Sequence, residues 1–395
     1  MTSLLDGPFQ QVERRAGLVL GTTLSTHRGQ ARLVCLLDSH PGWVYKEYHD
    51  VRQQAADTQL DRLIAFPARL TAAEQTILQT GTSWPASRVV ADRRTVGVIM
   101  PLAPDSFTTA VRLPSGPQSM LLPIDLLAQS DVALQRRAIP AQSTVDRVLA
   151  CLSLVTTAEL LERHGIVYLD WSYANAFWSP RSRAVYVIDV DGSSFGPRKL
   201  IECPGWEDPL VPMGSTGGNA VDRYRVALMV GRCLTTVRPA ADVPAALTRL
   251  ASTEPRLRDV CRRVASALGA TVPGGRPPIA ELAEALRTAA AALGVVGLAP
   301  APPPPTGNGA GHNVTEWKSL ADRRVPRQRT PEPQPAPEPV PVFEPEPEPL
   351  PVGQPEPWTR SVPVPTAEPG LSSGAVAALV VLGIVLAFIL LAVIF

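Results

Sequence analysis

In the first hundred residues, apolar positions come as short runs: GLVLGTTL (17–24), ARLVCLLD (31–38), GWVYKEY (42–48) and TVGVIMPL (95–102). Runs of this length, rich in Val, Leu and aromatic residues, predict strands. The polar stretch 51–66 between the third and fourth is helix-compatible. From Ser143 the spacing becomes helical, in residues 143–165, 220–234, 257–269 and 279–294. A hairpin-like segment, NAFWSPRSRAVYVID (175–189), interrupts it. The expected architecture is α+β, with a β-rich lobe preceding an α-helical lobe.

Beyond residue 296 the pattern changes twice. Residues 297–370 alternate Pro with Glu and small residues, as in PEPQPAPEPVPVFEPEPEPLPVGQPEP, a composition that buries no core and favours extended polyproline II. At ~3.1 Å per residue this disordered linker reaches on the order of 200 Å when fully extended. Residues 371–395 contain GAVAALVVLGIVLAFILLAVIF (374–395), without a charge and long enough for the roughly 30 Å hydrocarbon core. The expected division is therefore a globular domain at 1–296, the Pro/Glu-rich linker at 297–370 and a single transmembrane helix at 371–395.

Charge narrows the partners. The 37 Lys and Arg against 36 Asp and Glu leave a net +1, and no basic stripe with interleaved aromatics suggests nucleic acid. Five scattered cysteines form no CxxC pair, which points away from zinc or a redox couple and toward a reducing compartment. The N-terminus meets charged residues before any apolar run of signal length. The expectation is a single-pass, tail-anchored protein with its soluble part facing the cytoplasm, its partners being the lipid bilayer and a protein substrate or signalling partner.

Chemistry concentrates in HGIVYLDWSYANAFWSPRSRAVYVIDVDGSSFG (164–196). Asp170 and Asn175 are five residues apart, and Asp189 follows fourteen later across two short strands, so a hairpin would return it beside them.

That spacing resembles the catalytic core of protein kinases, H-R-D-x-x-x-x-N followed by D-F-G. YLDWSYAN aligns without a gap and IDVDG puts Asp189 at the first position of D-F-G. The flavour is that of divergent bacterial relatives of the eukaryotic-type (Hanks-type) Ser/Thr protein kinases. Val44, Tyr45 and Lys46 stand where the family's V-A-x-K strand would be, Asp222 opens a helix as its large central helix does, and GGRPPIAELAEAL resembles its late R-P-[ST]-x-x-E-L segment.

The resemblance implies a two-lobed protein-kinase-like fold with ATP and Mg²⁺ in the cleft. Lys46 would hold the phosphates, Asn175 and Asp189 would bind Mg²⁺, and Asp170 would be the catalytic residue that orients or deprotonates the acceptor hydroxyl. Asp222 would brace the loop, and Arg276 would make a buried ion pair. Asp191 is a further candidate metal ligand, and Asp57, Asp61 and Glu74 compete as the helix acid that should pair with Lys46.

The chain departs from the family's pattern at three places. Gly21 and Gly29 flank TTLSTHR where a G-x-G-x-x-G loop would lie, Tyr168 and Leu169 replace His and Arg, and Val190 and Asp191 replace Phe and Gly. His164 reads as a helix end, and Trp171, Trp178 and Trp206 as packing residues. Three functions remain open: a membrane-tethered kinase acting on protein Ser/Thr hydroxyls, a pseudokinase scaffold without turnover, and a small-molecule kinase of the aminoglycoside-phosphotransferase type.

Overall fold

The computed structural model describes residues 7–28, 31–49, 54–200 and 203–295. The expected linker and transmembrane run lie outside the described residues. No helix among the described residues is long and apolar enough to cross a membrane.

The N-terminal lobe is built on one sheet. Its strands begin with β1 (Val12–Arg14), β2 (Leu20–Arg28), β3 (Ala31–Leu37) and β4 (Trp43–Tyr48). Helices α1 (Gln54–Ala65) and α2 (Ala72–Gly81) follow, then β5 (Ser87–Ala91) and β6 (Arg94–Pro101). The order is β1-β5-β6-β4-β3-β2, antiparallel apart from the β1–β5 pair.

Both faces of this sheet are covered. Val44 and Tyr48 pack with Leu24, Val34, Leu60, Val98 and Met100 on one side, while Trp43 and Tyr45 pack with Cys35, Leu37, Val89 and Ile99 on the other. Because side chains alternate along a strand, Lys46 falls on the face of Val44 and Tyr48, where it is 4% exposed. The sequence pattern thus places a buried ammonium among apolar neighbours, an arrangement that persists only with a counter-charge.

Gly21 has a different job from the one its motif position suggests. A Cβ there would lie 1.8 Å from an Asp38 carboxylate oxygen, and β2 shifts register twice between Leu20 and Ser25. The glycine makes room for Asp38 in an irregular strand.

The second lobe opens with a hairpin, β7 (Thr108–Leu113) and β8 (Gly116–Pro123), followed by α3 (Asp131–Arg136) and α4 (Thr144–Arg163). Short strands follow: β9 (Ile166–Val167), β10 (Ala176–Trp178), β11 (Val185–Val187), β12 (Ser194–Phe195), β13 (Arg198–Lys199) and β14 (Thr216–Gly217). The helices α5 (Asn219–Thr235), α6 (Val243–Thr253), α7 (Arg258–Leu268) and α8 (Ile279–Ala292) complete it. Strand β8 also pairs with β10, giving a four-stranded sheet β11-β10-β8-β7. Helices α4 and α5 are buried nearly all round, with Arg147, Glu159, Asp222 and Arg225 among the buried side chains, and form the core of this lobe.

Both α2 and α4 begin with a capping box, from Thr71 with Glu74 and from Ser143 with Asp146. Glu74 has a second task. One of its oxygens lies 3.1 Å from His164 Nε2, at the C-terminal end of α4, and 3.2 Å from an Arg163 nitrogen. The bond to His164, then those from Thr71, hold its carboxyl down to about 2, against 4.5 for the free side chain. A group depressed on folding contributes stability above its unfolded pKa and loses it as pH falls through the folded one. The melting difference between the parent and Glu74→Gln is therefore expected to shrink steadily as pH falls from 4.5 to 2.

Candidate functional site

The loop between β9 and β10 is held in an unfavourable shape. Leu169 has φ 58°, a left-handed conformation that a bulky aliphatic residue rarely adopts. Such strain costs on the order of 1–3 kcal/mol and persists only where the surroundings impose it. Here Asp222, in the first turn of α5, accepts the backbone N–H groups of Tyr168 at 2.9 Å and Leu169 at 2.8 Å. Arg225, one turn on, donates to the Leu169 carbonyl and to that of Trp206. Burial pushes the Asp222 carboxyl up to about 7, while the two N–H donors, best satisfied by the ionised form, pull it down.

Asn175 ends a short 3₁₀ turn (Tyr173–Asn175) and donates from Nδ2 to the Asp170 carbonyl at 3.1 Å. Its own carbonyl accepts the Ile188 N–H at 2.9 Å, just beyond the β10–β11 hairpin. The Tyr168 hydroxyl donates to the Ile188 carbonyl at 2.6 Å. The loop and the end of β11 are thereby stapled together, and Asp189 follows in a left-handed conformation, φ 58°. Burial, then the nearby Asp170, Asp189 and Asp191 carboxylates, push the Tyr168 phenol well above its ordinary range.

Lys46 reaches across from the sheet. Its Nζ lies 3.5 Å from an Asp189 oxygen and 2.8 Å from Asp191 Oδ1. The other Asp191 oxygen accepts the Tyr48 hydroxyl at 2.8 Å. Lys46, Asp170, Asn175 and Asp189, the four residues singled out by spacing, are thus gathered in one place.

Among the described residues, the three acids expected to compete for Lys46 lie against other cations. Asp61 takes Arg88 at 2.7 Å with Asp57 beside it at 4.0 Å, and Glu74 takes Arg163 and His164. Asp191, weighed above as a metal ligand, is the partner instead. Helix α1 docks on the segment that follows: Gln59 accepts the Phe195 N–H at 3.4 Å, and the Arg62 guanidinium lies 4.4 Å from the Phe195 ring centre. A pairing that joins residues 145 positions apart leaves no periodic trace, and the acid two places after Asp189 was its only sequence signal.

Elsewhere, Arg276 forms a fully buried bidentate pair with Asp208, at 2.5 and 2.6 Å. Trp171 packs edge-on against Tyr168 and Trp206 against Tyr173, and Trp178 is buried in the core.

An apolar slot leads to the cluster. Leu24, Val34, Val44, Met100, Leu102, Phe177 and Ile188 are among its walls, Asp189 also lines it, and its volume is about 430 Å³ counting the part open to solvent. Along its rim the Pro101 carbonyl accepts from Ser83 Oγ at 2.6 Å and the Leu102 N–H donates to Gly42 at 2.9 Å. Walls of this kind suit the flat faces of an aromatic base, but the enclosed part of the slot is only about 30 Å³ and must widen to admit one. One carboxylate with one amide oxygen suits a hard cation such as Mg²⁺, provided that phosphates and water complete its shell. Among the described residues no group of three or more His, Cys, Asp or Glu forms a metal site unaided. The residues present therefore fit a magnesium–nucleotide complex better than a free cation.

No family model matches the chain, and no curated protein does. Among solved structures, the PknI kinase domain of Mycobacterium tuberculosis, crystallised as a double mutant, is similar over 70% of this chain and 96% of its own length. The two are 18% identical with a TM-score of 0.42.

Proposed function

We propose that this chain is a membrane-tethered, protein-kinase-like phosphotransferase that moves the ATP γ-phosphate to Ser/Thr hydroxyls of proteins. The observation that carries the reading is the position of Asp189, shared by the apolar slot and the Lys46–Asn175–Asp170 cluster.

In this reading Lys46 binds the phosphates, and Asp189 and Asn175 hold Mg²⁺, which neutralises phosphate charge when bound. Asp170 orients the acceptor hydroxyl and accepts its proton. The strained loop fixes that carboxylate before any ligand arrives, because Asp222, Asn175 and Arg225 hold its backbone. Residues 297–370 act as the spacer, residues 374–395 as the anchor, and the catalytic part works on proteins at the cytoplasmic face.

A pseudokinase scaffold is the second reading. Two features favour it: Lys46 is already engaged by Asp189 and Asp191, and Tyr168–Leu169 stands where kinases carry His and Arg.

The full-length chain, given Mg²⁺ and γ-labelled ATP, is expected to label itself or a generic protein substrate. Chelating the metal should abolish labelling, and Lys46→Met should lower it by about 10²-fold or more, as for removal of one pre-positioned charge from a developing phosphoryl transfer. Binding of ATP without transfer would leave the scaffold, and absence of both would sink the two readings together.

A further inference from the structure

We infer that Asp191 is the positioning residue for Lys46, doing from the segment after Asp189 what a helix acid would otherwise do. The inference rests on the phosphate-binding role given to Lys46 above.

Asp191 is fully buried and both its oxygens are used. Oδ1 accepts from Lys46 Nζ and Oδ2 from the Tyr48 hydroxyl, each at 2.8 Å. Lys46 and Tyr48 are two apart on β4 and so share a face, and the pair of donors fixes the carboxylate in one orientation. The contact to Asp189 is longer, 3.5 Å, and that side chain is 23% exposed. A buried carboxylate with a charge-assisted hydrogen bond is the stronger tether. Among the described residues, the α1 acids Asp57 and Asp61 lie against Arg88.

The consequence concerns control. Asp191 sits in the short turn Val190–Gly192 directly after Asp189, so the lysine is set by the segment that also presents Asp189.

The test uses the full-length chain without nucleotide, treated with acetic anhydride at fixed pH. Acylation of Lys46 is read by peptide mass spectrometry against the exposed Lys199. Asp191→Asn is expected to speed acylation of Lys46 by roughly tenfold, the size of a lost charge-assisted hydrogen bond. Asp191→Glu should restore much of the protection, and Asp57→Asn and Asp61→Asn should leave the rate alone. Tyr48→Phe, which removes one hydrogen bond and no charge, should give a smaller rise and serves if Asp191→Asn does not fold. Unchanged acylation in both Asp191→Asn and Tyr48→Phe, or an equal rise in either helix variant, would overturn the inference.

Affinity for MgATP is measured beside it, with a loss of about tenfold expected in Asp191→Asn on the same grounds. If the parent chain binds no ATP, the proposed function falls, while the acylation rates still decide whether Asp191 positions Lys46.

Discussion

An Asp170→Asn chain is expected to lose phosphate transfer by about 10²- to 10⁴-fold, the range of a positioned general base, while keeping its fold. The strained turn is imposed by Asp222 on Tyr168 and Leu169, and the Asp170 backbone carbonyl accepts Asn175 Nδ2, bonds that the substitution leaves in place. The side chain is half-buried, and an amide of the same size replaces it without a cavity. The melting temperature should therefore move by no more than about 2 °C, as for other substitutions that remove no packing. Initial rates beside melting curves check both halves. Retained transfer would show that the proton leaves by another route, and a large fall in melting temperature would mean that Asp170 serves the fold.

The second large effect is on stability. Arg276→Ala is expected to cost about 3–5 kcal/mol, because it strands Asp208 in the core without its counter-charge. Arg276 makes two short bonds to that carboxylate and others to the Ala220 and Ala267 carbonyls, at 2.9 and 3.3 Å. For a domain of this size the fall in melting temperature should be about 5–8 °C. Replacing both partners by apolar residues, Arg276→Met with Asp208→Leu, should recover much of it, since a buried ion pair gains little over good packing. A double variant as unstable as the single one would show that the carbonyl bonds of Arg276, rather than the ion pair, hold this region.

How much of this was legible in the sequence varies by element. Strands β2, β3, β4 and β6 and helices α4, α5, α7 and α8 fall close to where apolar spacing put them, and α1 lies in the stretch read as polar and helix-compatible. Each buries a full face or stripe, so the pattern is strong. The β7–β8 hairpin was not foreseen, because TTAVRL and PQSMLLP alternate weakly and their order comes from pairing with β10, more than fifty residues away. Strands of two residues, such as β9 and β12, carry no period at all.

In the site, the intervals between Asp170, Asn175 and Asp189 were informative because one loop and one hairpin fix them locally. The partner of Lys46 was not, because it depends on how a strand of one lobe meets a turn of the other. The role of Gly21, read above only as a departure from a glycine loop, lies in a neighbouring side chain, Asp38, which spacing does not reveal.

The link between the two lobes is fastened along its length. Pro101 and Leu102 are held by Ser83 and Gly42, and Ser83 itself donates to the Val187 carbonyl of β11 at 2.8 Å. Ala103 packs with Phe107, Leu121, Phe177, Tyr186 and Ile188 beneath the slot, and the Ser106 carbonyl accepts Ser179 Oγ at 2.9 Å. A crossing tied at so many points behaves as a strap that keeps the two walls of the slot in register.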